Sequence, residues 1–359
     1  NGCITGCHSV NTTGGVYAGE YSVFDMSGGS IENNSAKNSA GGVLVGATTR
    51  ANAVAVFNLK GGIIRGNKVE NTYFNSSGAA GNAGGVSVYG TFNMSGGVIS
   101  DNIGVGGVYV PLNPLAKVHI TGGAIYNNAN NNTNKNENVS PISDIYLNYQ
   151  KGNEFQVLPA KDMSDTLTDY KFDTWLCYNL SDGSDWKTMD GSLDEIAIES
   201  NYKKKFSFTA VTETDGREIY LDGVKGDDSK TGNSVLDAVK TFGTALEKAQ
   251  TTLKENGDVN EVKIYVSDTV TVSGTEIWEV PDEYAGKIIL TRYRAHDGYM
   301  VKVSGSEANL TLKNLVMDGG KDKLSSNYIY TSSMILVQGE KATLNIELSL
   351  IHISEPTRH

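Results

Sequence analysis

The sequence predicts an all-β protein built as a parallel β-helix, a solenoid in which short strands from successive repeats stack into parallel sheets. Three observations predict this fold class: a repeated residue frame, a Gly-Gly-Val signature before each copy of it, and alternation of apolar with polar residues. Alternation with period two is typical of strands that bury one face. Self-similarity along the chain is typical of repeat architectures.

The frame reads apolar-x-apolar-x-Gly-Gly-x-Ile-x-x-Asn and keeps the same internal spacing in every copy. Its four complete copies span residues 24–34, 57–67, 92–102 and 118–128. A truncated fifth copy begins the chain, with Ile4 at the Ile position and Cys7 at the Asn position. Gly-Gly-Val precedes the complete copies at residues 14–16, 41–43, 84–86 and 106–108.

Each repeat is predicted to contain three short strands, namely Gly-Gly-Val-x-Val, the apolar-x-apolar segment and the Ile segment. Glycine pairs between them permit backbone turns that a β-carbon would obstruct. Repeat length changes only between Val-x-Val and the frame, and between the Asn and the next Gly-Gly-Val. One tight corner and two tolerant corners are therefore expected.

The asparagine column predicts a structural ladder at one corner of the solenoid. Asparagine tolerates turn conformations and supplies both donors and acceptors, so each amide can bond to the neighbouring coil. Ligand binding by the same side chains is the alternative. The column consists of Asn34, Asn67, Asn102 and Asn128.

These repeats resemble the Gly-Gly-Val and Phe-x-Met-x-Gly-Gly-x-Ile-x-x-Asn repeats of large bacterial cell-surface proteins with the pectate-lyase-like right-handed β-helix fold. The resemblance covers residues 1 to about 140. It implies a right-handed solenoid and an adhesin-like protein that is secreted or attached to the cell wall. It implies little about activity, because this group contains many structural and adhesive members.

Composition divides the chain into segments. Residues 1–150 are expected to form the β-helix repeats, with a low-complexity polar loop at 127–139. Residues 151–216, where Gly-Gly disappears, are expected to form a closing coil and a small β cap or linker. Such a cap would cover strand edges that are otherwise open.

Residues 217–347 resemble the entry segment of pectate-lyase-like domains, which implies the start of a second β-helix. In that group a first strand and a Gly/Asp loop precede a capping helix. A helix near 236–255 is predicted here, because apolar residues at three- and four-residue steps form one face. Those residues are Val239, Phe242, Leu246, Ala249 and Leu253.

Residues 348–358 read Leu-Ser-Leu-Ile-His-Ile-Ser-Glu-Pro-Thr-Arg, which a transposase sequencing adapter encodes codon for codon. We therefore expect residues 348–359 to be an adapter-derived artefact and leave them out of the fold prediction. The chain also starts without Met, and we interpret it as a metagenomic fragment cut at both ends.

Charge and composition limit the classes of partner that the chain is expected to bind. The formal net charge is -11 and the sequence pI is about 5.0, so nucleic-acid binding is not expected. No apolar run approaches membrane-spanning length, so this segment is not expected to insert into a membrane. Cys3, Cys7 and Cys177 do not make a disulfide framework, and the first two are interpreted as packing residues.

An enzyme of this fold needs reactive side chains on neighbouring coils, and the two outward columns of the frame are where such side chains would lie. Neither column places two carboxylates on adjacent coils, so no catalytic residue is predicted. A solvated polar face is expected, and a saccharide-binding face is the alternative. The columns are Asp25, Asn58, Asn93 and His119, then Ser27, Lys60, Ser95 and Thr121.

Two charged clusters remain. Asp222, Asp227 and Asp228 lie in a Gly-rich loop and are a candidate Ca²⁺ site, although their spacing is not that of an EF-hand and a solvated turn is the alternative. No other cofactor is implied. The second cluster is interpreted as a loop that joins two coils. It contains Arg292, Arg294, His296 and Asp297.

The sequence thus predicts a non-enzymatic segment of a bacterial surface protein, located outside the cell. It would act as a stiff rod whose loops face polysaccharide, host glycans or other cells. The alternative is a polysaccharide lyase or glycoside hydrolase whose site lies on coils outside this sequence. Glycosidases need paired carboxylates, and lyases of this fold use an Asp cluster with an Arg or Lys base.

Overall fold

The structure is a computed structural model, and its described residues form an all-β protein with parallel sheets and one α-helix. The chain divides into two compact units, Asn1–Glu213 and a second built from Thr214–Leu324 and Tyr328–His359. The described residues are 2–46, 53–70, 82–130, 143–149, 153–165, 171–179, 187–193, 204–213, 217–293, 296, 298–320, 332–347 and 350–352.

The first unit stacks its repeats into three sheets, and neighbouring strands in each sheet come from consecutive repeats. Sheet A contains β1 (Cys3–Thr5), β4 (Val23–Glu32), β7 (Val56–Arg65), β10 (Thr91–Ser100), β13 (Lys117–Tyr126) and β16 (Glu154–Val157). Sheet B contains β2 (His8–Ser9), β5 (Ser35–Ala36), β8 (Lys68–Val69), β11 (Ile103–Gly104) and β14 (Ala129–Asn130). Sheet C begins with β3 (Val16–Ala18), β6 (Val43–Val45), β9 (Val86–Val88), β12 (Val108–Val110) and β15 (Ile145–Tyr149). All pairs among these strands are parallel.

The frame sets the register of sheet A. Phe24 pairs with Phe57 and Phe57 with Phe92, and their rings stack with centroids 4.8 and 5.2 Å apart. The Ile positions align in the same way, and Ile64 and Ile99 are fully buried. Identical apolar residues therefore stack on one another at the spacing of neighbouring strands, which builds one continuous core.

The division of each repeat into strands differs from the prediction. The apolar-x-apolar and Ile segments form one long strand, because the Gly pair between them makes a bulge that shifts the register without ending the ladder. The second Gly of each pair takes a positive φ that only glycine adopts readily: Gly29, Gly62, Gly97 and Gly123. The third strand is the unpredicted two-residue strand of sheet B that follows each asparagine.

Antiparallel strands close sheet C. After β15 the sheet continues through β19 (Lys204–Glu213), β17 (Lys171–Asn179) and β18 (Lys187–Met189), all paired antiparallel. Trp175, Phe172 and Phe208 of these strands are buried in the same core as the repeats. A further parallel strand cannot pair with β15 on the side that β19 covers.

The second unit also stacks parallel strands into three sheets. The first contains β20 (Glu218–Asp222), β21 (Val262–Asp268), β24 (Ile288–Arg292), β27 (Val316–Asp318) and β30 (Leu350–His352). The second contains β22 (Val270–Val272), β25 (Val301–Ser304) and β28 (Ile335–Gln338), and the third β23 (Thr275–Glu279), β26 (Asn309–Lys313) and β29 (Thr343–Glu347). In both units the stacked parallel strands are compatible with a β-helix-like solenoid.

Helix α1 (Phe242–Glu255) lies between β20 and β21 in the chain and begins after Thr241, whose hydroxyl caps the amide of Thr244. It packs on β20 and β21, with Phe242, Ala245 and Ala249 buried. The ring of Phe242 stacks on Trp278 at 4.4 Å. The predicted helix began earlier, but residues before Phe242 form a short 3₁₀ turn at Val235–Asp237 instead.

Strand β30 falls within the segment that we expect to derive from a sequencing adapter. Its backbone pairs in parallel with β27, in the register Val316 with Leu350. An open sheet edge offers unpaired N–H and C=O groups to any extended segment, so this pairing does not distinguish the two origins. The predicted polar loop at 127–139 is wrong at its start, because Ala129–Asn130 form strand β14 of sheet B. Residues 131–139 of that loop, and residues 353–359, lie outside the described residues.

Candidate functional site

The asparagine column lies at one corner of the first unit, directly after the long strands of sheet A. The residue before each column position has φ between 56° and 69°, a conformation that Gly, Asn and Asp tolerate best. These residues are Gly6, Asn33, Gly66, Asp101 and Asn127. The local sequence thus turns the chain at the same point in every repeat, and the asparagine that follows the turn in the four complete copies is buried.

The four asparagines form one hydrogen-bonded ladder. The Oδ1 atom of Asn67 accepts bonds from both N and Nδ2 of Asn34, each at 3.0 Å. The Nδ2 atom of Asn67 donates to Ile31 O at 2.8 Å and to Oδ1 of Asn102 at 3.0 Å. Asn102 bonds to Asn128 in the same pattern, with donor distances of 3.1 and 3.0 Å.

Every ladder asparagine is fully buried, with a relative exposure of 0%. A buried amide without partners costs free energy, and here each side chain satisfies backbone groups of the preceding repeat as well as its neighbour in the ladder. The polar atoms are therefore committed to joining repeats. The arrangement holds stacked strands in register and exposes no amide for a ligand.

The second Gly of Gly-Gly-Val makes room for the ladder. A β-carbon on Gly107 would lie 2.4 Å from Cγ of Asn128, and one on Gly85 would lie 3.1 Å from Nδ2 of Asn102. At Gly42, Gly85 and Gly107 the second glycine therefore lies directly beside the ladder asparagine of its own repeat.

The two ends of the ladder use different residues. At the first end the backbone N of Cys7 donates to Oδ1 of Asn34 at 3.0 Å, as an asparagine backbone would. At the other end Oδ1 of Asp144 accepts from N and Nδ2 of Asn128, both at 2.9 Å. Asp144 was not predicted as a ladder residue. The sequence feature that could have indicated this role is Ser143-Asp144-Ile145, which stands in the last repeat where earlier repeats have Gly-Gly-Val.

The first outward column forms a second ladder at the surface. Nδ2 of Asn58 donates to Oδ1 of Asp25 at 2.9 Å, and Nδ2 of Asn93 donates to Oδ1 of Asn58 at 2.8 Å. Nδ1 of His119 lies 3.1 Å from Oδ1 of Asn93, which can only accept. These hydrogen bonds run along the column from one repeat to the next. The polar atoms of the column that do not take part in them face solvent.

Asp25 is the carboxylate of this column, and Glu154 lies beyond the far end of the column, with its Oε2 3.5 Å from Nε2 of His119. The hydrogen bond from Asn58, helped by Lys60 at 3.2 Å, lowers the pKa of Asp25. At the far end Lys117 lowers the pKa of Glu154. Within the described repeats, this outward face therefore places no two carboxylates side by side, and an acid–base pair of the glycosidase kind does not form on it.

One serine, one histidine and one glutamate meet on sheet B. Nδ1 of His8 lies 2.9 Å from Oγ of Ser35 and 3.5 Å from Oε1 of Glu70. A catalytic triad requires the hydroxyl on one ring nitrogen and the carboxylate on the other. Both partners here approach Nδ1, so the cluster has the residue types of a triad without its geometry.

Asp222 ends β20, Asp227 and Asp228 are adjacent in the loop that follows, and each of the three carboxylates accepts hydrogen bonds from a different set of neighbours. Oδ1 of Asp222 accepts from the amides of Val224 and Lys225. Asp227 accepts from Ser229, whose amide bond lowers the pKa of the carboxyl. Within the described chain no three His, Cys, Asp or Glu side chains group as a metal site.

The third carboxylate, Asp228, joins the loop to the start of α1. Its Oδ1 accepts from the amides of Lys240 and Thr241, both at 2.9 Å, and its Oδ2 accepts from the Thr241 hydroxyl at 3.0 Å. Burial opposes ionisation, but these amide bonds outweigh it and lower the pKa of Asp228. The described contacts are those of a loop anchor, and calcium binding stays a prediction.

Of the second charged cluster, Arg292 and His296 are described, whereas Arg294 and Asp297 lie outside the described residues. The guanidinium of Arg292 donates to backbone oxygens of Gly298, Ser332 and Ser333. Burial lowers the pKa of His296. Both side chains are buried and bond to loop backbone, in keeping with a loop that joins two stacked strands.

The cysteines differ from their predicted role. Cys3 and Cys7 are exposed, because the first repeat has no further repeat stacked on its outer side within the described chain, and Cys177 is buried. All three thiols are free. No helix in the described part of the chain combines the length and apolarity needed to cross a membrane.

The sequence matches no protein-family profile, no curated protein and no solved structure. The fold and its ladder define an all-β repeat protein of stacked parallel strands.

Proposed function

We propose that the chain is a structural repeat segment of a secreted or wall-attached bacterial surface protein, and that its first unit is a right-handed, pectate-lyase-like β-helix. The buried ladder carries this proposal. Its side chains are consumed by contacts between repeats, which favours a stiff stack over a binding cleft. The sequence repeats because each repeat must make the same contacts with the next one along the stack.

Presentation of loops is the second part of the proposal. Repeat length varies in connections that include residues 47–52, 71–81 and 131–142, all outside the described residues. Loops tolerate insertions far better than the stacked strands do, and function concentrates in them. We assign to these loops the contacts with polysaccharide or cell-surface glycans.

A glycan array tests this assignment. The purified chain should bind at least one class of bacterial or host glycan, and replacing residues 71–81 by a Gly/Ser linker should weaken binding without lowering the melting temperature. The matched control replaces the exposed pair Ser27 and Ser95 by Ala. Binding that depends on the serines and not on the loops would contradict the assignment.

A carbohydrate-active enzyme remains the second candidate, supported by one observation in the second unit. Asp222 pairs with Asp268 after a register shift between Leu221 and Asp222, which puts two carboxylates at the ends of adjacent strands. His296 experiences both charges. The chain should nonetheless release no unsaturated or reducing ends from pectin or alginate. Release that Asp268→Asn abolishes, in a variant with unchanged circular dichroism, would favour the enzyme.

A further inference from the structure

The repeat signature changes once, at the last parallel strand of sheet C. Val108 pairs with Ile145, so Ser143 and Asp144 stand where each earlier repeat has its two glycines. A β-carbon on Gly15, Gly42 or Gly85 would lie 2.5, 2.6 or 2.4 Å from the backbone oxygen of the next repeat's second glycine, and one on Gly107 would lie 2.4 Å from Cγ of Asn128. No side chain fits at the second glycine of those repeats. Among the described strands, the one that pairs with β15 beyond Asp144 is the antiparallel β19, which brings no ladder asparagine, and the side chain of Asp144 takes that place against Asn128.

The carboxylate of Asp144 occupies the position of the missing asparagine. Its Oδ1 accepts from N and Nδ2 of Asn128, the same two donors that each ladder asparagine receives from its predecessor. Its Oδ2 accepts from the backbone N of Ala210 in β19 at 2.9 Å. The side chain is fully buried, so water does not compete for these bonds.

We propose that Asp144 is a stop residue that ends the repeat array and latches the antiparallel strand β19 in place. A carboxylate suits both tasks, because both of its oxygens accept hydrogen bonds. An asparagine oriented to continue the ladder would turn its NH₂ group toward the N–H of Ala210, and two donors would face each other.

The latch has a consequence for association. Asp144 N also donates to Phe208 O at 2.8 Å, so backbone and side chain together hold β19 along the edge of β15. An uncovered β15 would offer a free edge for another parallel strand, which is the ordinary route to edge-to-edge aggregation. Asp144 thus couples completion of the ladder to closure of the sheet.

Two variants of the full chain separate the two tasks. Asp144→Asn keeps an acceptor for Asn128 but loses the acceptor for Ala210, whereas Asp144→Gly restores the repeat signature and loses both. Ser143→Gly is the matched control, since it restores the neighbouring glycine and removes no bond of the latch. Hydrogen–deuterium exchange with mass spectrometry reads peptides that cover residues 125–130 and 204–213.

In Asp144→Asn we expect the β19 peptide to exchange at least about tenfold faster while the Asn128 peptide changes little, given the strength of bonds to charged groups. In Asp144→Gly both peptides should exchange faster, and sedimentation should show concentration-dependent self-association. Unchanged β19 exchange in Asp144→Asn would overturn the proposal. So would equal acceleration of both peptides in that variant, or an equal effect of Ser143→Gly.

Discussion

Replacing Asn67 by Ala should destabilise the first unit far more than replacing Asn58 by Ala. Both asparagines belong to β7 and its following turn, and both bond to the repeats on either side. They differ in burial, because Asn67 is fully buried and Asn58 is half-buried at the surface. The pair therefore isolates the contribution of burial to an amide ladder.

The magnitude follows from the groups that Asn67→Ala leaves without this partner. The backbone N of Asn34 loses an acceptor and Ile31 O loses a donor, and both lie inside the protein. Each unsatisfied buried group costs about 1–3 kcal/mol, so two cost roughly 2–6 kcal/mol before any cavity is counted. At Asn58 water replaces the lost bonds, and the loss should stay below about 1 kcal/mol.

Urea unfolding of the full chain, followed by far-UV circular dichroism, measures the difference. The transition assigned to the first unit should shift to lower urea in Asn67→Ala and remain nearly in place in Asn58→Ala. The slope of each transition should not change, since both variants expose the same surface on unfolding. Equal losses at the two positions would refute the reasoning that burial makes the ladder structural.

Three further outcomes are expected. Ile99→Asp should cost several kcal/mol by burying an unpaired carboxylate, whereas Ser95→Asp at the exposed position should stay within about 0.5 kcal/mol; equal effects in urea unfolding would mean a wrong register. Deleting residues 348–359 should leave the melting temperature unchanged, and a clear drop would contradict an adapter origin. Arg65 lowers the pKa of Glu32 by a hydrogen bond, so this pair stabilises above the unfolded-state pKa and loses its contribution as pH falls through the lower folded-state pKa. Glu32→Gln should reduce the loss of stability on acidification, and an unchanged pH dependence would count against the pair.

Stacking of repeats could be predicted because its contacts recur. Phe57 meets Phe92 and Asn67 meets Asn102 through the same spacing that relates every other pair of repeats. A contact that is repeated along the chain leaves a periodic signal in the sequence. The residue before each asparagine also recurs at a fixed position, but its left-handed backbone conformation is known only from the structure.

The strand boundaries were harder to predict, since a glycine pair is compatible with either a corner or a bulge. Which of the two forms depends on whether neighbouring repeats continue their hydrogen bonds across it. In sheet A they do, with Ser30, Ile63 and Val98 resuming the pairing beyond the glycines. The choice is thus made by the neighbouring strand and not by the local sequence.

By itself the sequence determined the all-β class, the stacking register and the inward direction of the asparagine column, because each depends on residues at fixed separation. Only the tertiary structure decided how the stack ends. The bond between Asp144 and Ala210 joins residues 66 positions apart and occurs once. A contact that is made only once leaves no periodic signal in the sequence. Which residue Asp144 meets depends on how the antiparallel strands return to the edge of β15.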